Sequence, residues 1–545
     1  MPRALALVLL CLGMFLPGIA SLPPIDRDEA RYAQASRQML ATGDLVDIRF
    51  QEEPRHKKPV GIYWLQSAFA AVAGLADDPP IWVFRLVSVA GATAAVLLLY
   101  WTGGALFGRE AALVGAVGLA GIFGLAFEAR IAKTDAVLLA CAVLAQGALA
   151  QVYVARSRGA TPGGHLAWLF WIGQGVGILV KGPIVPLLSI LTVAVLAVLD
   201  RRIAWLKDLK PLRGLALLAA MVAPWLIAIT IRSDGAFWQA SVGQDLGAKL
   251  ASGQESHGAP PGYFAITWSL YVWPFGLLAV VAGLKALNRL RDDAALRFCL
   301  AWAIPFWLVL EVVPTKLPHF VLPAYPAFLL LLGWGLTSPD ARATVLNRWQ
   351  TWFSWLTMAG LAIATLALLA LAIAAPVAMD AGITGWNVLA AVAGLAAAWL
   401  GSGLGRPTAP VRRVGGAAVA AAVAYASFYA GIAPSFDRLW VSARTAAAFQ
   451  ATKPCGESIL ASARLHEPSL VFLAGTATKL TGPEGAAQHL ASGPCAVAAI
   501  DVSDRDAFDA AVSDLGVTTR ELASVEGRNY SNGRQLTLTL LATRD

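Results

Sequence analysis

Residues 26–40 read DRDEARYAQASRQML and place acid, base and phenol within one helical turn. Asp26 followed three residues later by Glu29 is a helix-start pattern, an N-cap with a carboxylate that reaches back. That pattern accounts for Asp26 and for much of Glu29, but not for the other polar residues of the stretch. Spacings of three and four residues put Asp28, Arg31 and Tyr32 on one helical face. A carboxylate beside cations stays ionised at neutral pH and can take a proton from a hydroxyl. A second stretch, RHKKPVGIYWLQ at 55–66, brings His56, Lys57 and Lys58 just before Pro59, then Tyr63 and Trp64. Ammonium groups there would stabilise a departing phosphate. The plain alternatives are a solvated amphipathic helix for the first stretch and a Lys/Trp headgroup anchor for the second.

Other chemistry-bearing residues stand at the ends of apolar runs. Asp135 opens one, where it would either cap the helix or act in the chemistry. Lys181 lies between two short apolar segments beside Gly182 and Pro183, a place where ionisable groups are often functional. Lys316 would snorkel to headgroups or contact an anion. His257 reads as an ordinary loop histidine or a cavity residue. Arg130 and Lys133 read as interfacial.

The elements that must position these residues are membrane helices. The chain of 545 residues is 57% hydrophobic and 14% charged, against about 25% charged in soluble domains. The formal net charge of +8 would suggest nucleic acid in a soluble protein. Here the basic residues gather in alternate loops instead. No glycine-rich phosphate loop, zinc-ligand spacing or G-x-S-x-G motif is present. Apolar runs of spanning length, roughly 20 residues or somewhat fewer, fall near 4–22, 81–101, 111–127, 136–154, 165–180, 183–199, 213–231, 263–284, 297–313, 320–336, 352–375, 385–402 and 414–432. The first could pass for a secretory signal but reads better as a retained anchor. Arg156/Arg158, the stretches DRRIAWLKDLKPLR and KALNRLRDDAALR, Arg342/Arg348 and Arg406/Arg412/Arg413 fill every second loop. The Lys/Arg rule then places the N-terminus in the cytoplasm and the C-terminus outside.

Residues 1–432 therefore read as a membrane domain with outer amphipathic helices in 23–80, and 433–545 as an exported α/β domain. SILASA, SLVFLAG, CAVAAIDV and QLTLTLLATR are strand-like, and DRDAFDAAVSDLG is helix-like. Cys455 and Cys495 are the two cysteines outside the spans. An exported setting permits a disulfide between them, the alternative being two buried free thiols.

DRDEARYAQASRQMLATGD followed by KKPVGIYWLQ resembles the first outer loop of bacterial aminoarabinose transferases. ARIAKTDAVLLA at 129–140, LVKGP at 179–183, ESHGAPPGYF at 255–264 and TKLPHFVLPAYPA at 315–327 extend the likeness in order. Those enzymes are GT-C glycosyltransferases related to protein O-mannosyltransferases. The resemblance implies about 13 transmembrane helices, a polyprenyl-phosphate (undecaprenyl phosphate) sugar donor and a lipid A, glycan or protein acceptor at the inner membrane's periplasmic face. It implies Asp28, with Glu29 and Asp135, as catalytic acids. It implies Arg31, Tyr32, Lys58, Lys181, His257 and Lys316 as substrate contacts. The chain departs from the aminoarabinose pattern at Lys57, where Glu is typical, and at Phe320, where Tyr is frequent. The first departure leaves divalent-metal use open, with His257 as a candidate ligand.

The expected chemistry is single displacement with inversion: Asp28 as base, Lys58 and Lys316 on the phosphate, Asp135 positioning the acceptor. A transporter would instead put charges near the bilayer midplane and show paired halves; neither feature is visible. A scaffold would have no need of an outer loop carrying acid and lysine together. Protein O-mannosyl transfer is the alternative within the enzyme class.

Overall fold

The computed structural model describes residues 2–251, 258–404 and 409–544. Each of the apolar runs is mainly helical, the first only as far as Phe15. Eight helices among the described residues are long and apolar enough to cross a membrane: Ile81–Leu106, Asp135–Ser157, Pro211–Arg232, Ala294–Val312, Pro318–Thr337, Arg348–Ala378, Gly385–Ser402 and Pro410–Ser435. Pro2–Phe15, Ile184–Asp200 and Gly276–Leu287 are shorter apolar helices. His165–Lys181 ends where Ile184–Asp200 begins, so the Gly182-Pro183 step separates two helices.

Two runs are interrupted, and the interruptions meet. One breaks at Ile122, between Arg109–Gly121 and Phe123–Glu128. The other breaks at 272–275, between Tyr263–Tyr271 and Gly276–Leu287. The Phe123 N–H donates to the Trp273 carbonyl at 2.9 Å. Backbone groups freed by a break inside an apolar layer must find protein partners, and each break supplies one for the other.

Two buried arginines tie down the chain after the first helix, whose last carbonyls have no helical partners. Arg85 donates to the carbonyls of Ile19 and Leu22 at 2.7 Å and of Pro23 at 2.9 Å. Arg130 donates to the carbonyls of Pro17 (2.9 Å) and Met14, with its guanidinium 4.4 Å from the centre of the Tyr429 ring. Arg130 is thus a buried strut and not the interfacial residue expected from its position.

The first long loop, within 23–80, folds as the helix Asp28–Thr42, a small hairpin of β1 (Arg49–Phe50) and β2 (Glu53–Pro54), and the helix Gly61–Val72. The C-terminal part carries a mixed sheet of β3 (Ile459–Ala463), β4 (Lys479–Thr481), β5 (Ala496–Asp501), β6 (Thr519–Arg528) and β7 (Gln535–Thr543). Its order is β4-β3-β5-β7-β6, parallel across β4-β3-β5 and antiparallel across β5-β7-β6. Strand alternation sends Leu460, Val497, Ala499 and Leu540 to one apolar cluster, and Ala461, Ala498, Ile500 and Leu541 to another. Both faces are therefore covered. Cys455 and Cys495, on the approaches to β3 and β5, form a disulfide with Cα atoms 5.3 Å apart.

SLVFLAG, expected as a strand, is the helix Pro468–Ala474. Pro468 suits the first helical turn, and all of residues 468–472 are buried. A stretch buried on every side has no polar face to betray its period. This helix packs against Asp28–Thr42: Phe472 lies under the Arg37 guanidinium at 4.0 Å and edge-on to Phe84.

Candidate active site

The charged residues picked out in the sequence converge around the Asp28–Thr42 and Gly61–Val72 helices, the Glu128–Asp135 turn and the Lys181 helix end. Asp28 is the first residue of its helix and stays exposed. Arg55 reaches it at 4.0 Å, lies 5.0 Å from the centre of the Tyr32 ring and donates to the Tyr63 hydroxyl at 3.2 Å. Tyr32 and Tyr63 are buried with ring centres 5.5 Å apart. Arg31 is half-buried. Arg55, absent from the sequence candidates, is thus the cation that fixes the environment of Asp28. The carboxylate, in turn, helps to hold the guanidinium's affinity for its proton above the ordinary value.

Glu29, grouped with Asp28 as a catalytic candidate, is enclosed in the protein instead. Its carboxylate pairs with Arg85 through two bonds of 2.8 Å and accepts from the N–H groups of Ile25 (2.8 Å) and Ala132 (2.7 Å). Every strong acceptor direction is used, so it staples the first loop to the second. Asp26 does not cap the helix either. The N-cap is Arg27, without a side-chain cap bond. Asp26 instead accepts from the Ser469 N–H at 2.9 Å and the Tyr530 hydroxyl at 3.3 Å.

A second group is buried. Lys181 donates to Asp135 at 2.5 Å, and Lys133 lies 3.5 Å from the other Asp135 oxygen. Lys133 also lies 2.9 Å from Glu128, and the His319 ring nitrogens stand 3.7 Å from Glu128 and 3.9 Å from Asp135. Lys133 was expected at the interface; it is buried because two carboxylates surround it. These anions, chiefly Glu128, hold its ammonium well above the usual lysine range despite burial. Glu128 and His319 carry no sequence signal of their own, since each sits inside a stretch read for its neighbours.

The third group closes over Lys58. Its ammonium donates to Asp245 at 2.5 Å, and Lys249 donates to both Asp245 oxygens at 2.8 Å. Burial, with the neighbouring Lys249 charge, pulls Lys58 down to about 8 against the opposing effect of Asp245. Asp28 is among the charges that act on Lys133, and Lys249 is among those that act on His319.

Lys316 is buried and donates to the carbonyls of Ala259 (2.8 Å) and Val313 (2.6 Å). Glu311 accepts from the N–H groups of Gly262 (2.8 Å) and Phe264 (3.1 Å). Together they fix the 258–262 loop and the first turn of the Tyr263–Tyr271 helix. His257 lies outside the described residues. Among the described residues no group of three or more His, Cys, Asp or Glu is placed to hold a metal ion.

Residues 57–227 match the family model of dolichyl-phosphate-mannose-protein mannosyltransferases. The undecaprenyl phosphate-alpha-4-amino-4-deoxy-L-arabinose arabinosyl transferase of Aeromonas hydrophila is 27% identical over 358 residues, 63% of this chain and 62% of the relative. The enzyme of the same name from Pseudomonas aeruginosa is 28% identical over 313 residues, 57% of this chain and 55% of the relative. The chain therefore spans about three fifths of the length of the curated relatives it matches. Among solved structures, ArnT from Cupriavidus metallidurans bound to undecaprenyl phosphate superposes with a TM-score of 0.74 at 20% identity, covering 98% of this chain and 97% of that one. The chain has the GT-C fold of that transferase, with a C-terminal sheet domain, and in sequence it is similar to the aminoarabinose and protein-mannosyl transferases, as its outer-loop motifs indicate.

Proposed function

We propose that the chain is an inner-membrane glycosyltransferase. It moves a sugar from undecaprenyl phosphate to an acceptor hydroxyl at the periplasmic face, on lipid A or another envelope glycolipid. The observation that carries this reading is one open carboxylate, Asp28, at the start of its helix, together with two lysines that share a single carboxylate, Asp245. An arriving phosphate can replace Asp245 between Lys58 and Lys249, since an ammonium accepts either anion.

The reaction is a single displacement with inversion. The acceptor oxygen attacks the anomeric carbon, and the bond from that carbon to the phosphate oxygen breaks. Its electron pair stays on the phosphate, where Lys58 and Lys249 stabilise the charge. Asp28 takes the acceptor proton. Asp135, held by Lys181, positions the substrates from the buried side, and Arg31 and Tyr32 complete the wall near Asp28. Lys316 contributes through the loop it fixes. The N-terminus is cytoplasmic and the C-terminal domain, residues 433–545, periplasmic; the alternating basic loops support this.

A second acceptor class is favoured by one observation, the match of 57–227 to protein mannosyltransferases. One experiment separates them. Mass spectrometry of lipid A, envelope glycans and exported proteins, with and without the gene, should show a sugar missing from lipid A or glycan. A loss confined to exported proteins establishes the second class. No change in any fraction removes the transferase reading.

A further inference from the structure

Glu128 is fully enclosed; its Oε2 pairs with Lys133 Nζ at 2.9 Å, while its Oε1 accepts no hydrogen bond among the described residues. Among the described residues Oε1 has the His319 ring at 3.7 Å, too far for a hydrogen bond. A buried carboxylate oxygen is rarely left this way, because an unmet acceptor carries its desolvation cost. Glu29, 99 residues earlier in the chain and equally enclosed, shows the contrast: its oxygens meet Arg85 and two backbone N–H groups. The short Phe123–Glu128 helix that ends on Glu128 is itself held at the meeting of two helix breaks. Gly124 lets it lie against Tyr271, where a Cβ would come within 2.5 Å of the ring. The carboxylate is therefore delivered to its place by a rigid support, which suits a binding group.

The missing partner must donate hydrogen bonds and must fit within the protein. A phosphate is excluded as that partner by charge. The neighbouring lysines are also committed, Lys133 to Glu128 and Asp135, Lys181 to Asp135. A sugar hydroxyl or amino group meets both conditions. We propose that Glu128 is a sugar-binding residue, accepting a hydrogen bond from the glycosyl group of the lipid-linked donor and so setting which sugar is transferred. The proposal rests on the transferase reading above.

The test is binding of bare undecaprenyl phosphate and of its mannosyl and 4-amino-4-deoxy-L-arabinosyl esters to wild type, Glu128→Gln and Glu128→Asp. The Asp variant keeps a charge beside Lys133 and withdraws it by one methylene, so a fold defect common to both variants is recognised by its melting temperature. Wild type should bind at least one ester more tightly than bare undecaprenyl phosphate. Both variants should lose about tenfold or more of that ester's affinity while binding the bare lipid as wild type does. Equal losses for ester and bare lipid, no loss at all, or no ester preference in wild type would overturn the assignment. Failure of wild type to bind the bare lipid would remove the lipid-linked reading itself, and this assignment with it.

Discussion

The Asp26 carboxylate accepts a hydrogen bond from the backbone N–H of Ser469, 443 residues further along the chain, at 2.9 Å. It joins the start of the helix bearing Asp28 to the C-terminal sheet domain. Further contacts extend the seam. Gln34 donates to Thr476 at 2.8 Å, Arg37 to the Phe472 carbonyl at 2.7 Å, and Gln51 to the Thr478 carbonyl at 2.6 Å. The C-terminal domain thus clamps the outer loop by direct bonds to the start and the middle of one helix and to the hairpin beyond it.

Burial, with Glu467 adding repulsion, raises the Asp26 carboxyl from 3.8 to about 6. A carboxyl raised in the fold favours its protonated form, so its stabilising contribution is full below 3.8 and fades as pH rises through 6. Asp26→Asn keeps the acceptor for Ser469 and removes the charge. It should melt at or above wild type at pH 7.5, with the difference closing by pH 4. Asp26→Ala strands the Ser469 N–H and should cost about 1–3 kcal/mol. An Asn variant less stable than wild type at pH 7.5 contradicts this account.

Arg85→Met should be among the most damaging substitutions outside the site. Arg85 and Glu29 are both fully enclosed, and removing one partner of such a pair costs about 3–5 kcal/mol. Adding Glu29→Gln should recover part of the loss in thermal unfolding, because the stranded charge goes. No recovery would mean that the arginine acts only through the three carbonyls it caps.

The sequence made the membrane helices legible because apolar runs of spanning length need no partner to be recognised. It also made Asp28 legible through its spacing to Arg31 and Tyr32 and through the motif resemblance, Lys58 through that resemblance, and Asp135 and Lys181 through their places at the ends of apolar runs. What it hid was pairing. Asp26 and Glu29 satisfied a capping pattern locally, yet their carboxylates were claimed by Ser469 and Arg85, far away in the chain. Arg55, Glu128, Asp245 and His319 gain meaning only from what stands across from them, and no period or spacing encodes that. The Pro468–Ala474 helix was misread for a related reason: burial on all sides erases the alternation that separates helix from strand.

The proposed phosphate contact of Lys58 sets a pH limit on donor binding. With its ammonium brought down to about 8, donor affinity should fall as pH rises through that value. Stability should move the other way between 8 and 10.5, since the unfolded lysine holds its proton longer. Lys58→Arg stays charged throughout and should flatten the affinity profile. An unchanged slope in that variant would assign the pH dependence to another group.

Gly91→Ala tests whether the place of Asp135 matters. A Cβ at Gly91 would lie 2.8 Å from the Val137 nitrogen and 2.9 Å from its Cα, which is backbone and cannot swing aside. The roughly 1 kcal/mol that alanine gains over glycine inside a helix is outweighed by pushing the Asp135–Ser157 helix away. The variant should fold with reduced kcat. Activity equal to wild type would show that Asp135 tolerates displacement and does not position substrate.

Asp28→Asn separates the proposed base from its surroundings. Asn has nearly the same shape and cannot take a proton, so turnover should fall by about 10²–10⁴, the usual contribution of a general base. Undecaprenyl phosphate binding should stay close to wild type, because Lys58 and Lys249 are bridged by Asp245 and not by Asp28. Arg55→Met removes the cation 4.0 Å away and should lower kcat by less than Asp28→Asn does, since the carboxylate remains. The opposite pattern is just as readable. If Asp28→Asn keeps near-normal turnover and Asp135→Asn abolishes it, the proton goes to the buried carboxylate paired with Lys181. Asp28 would then be only the exposed first residue of a helix that the C-terminal domain holds in place.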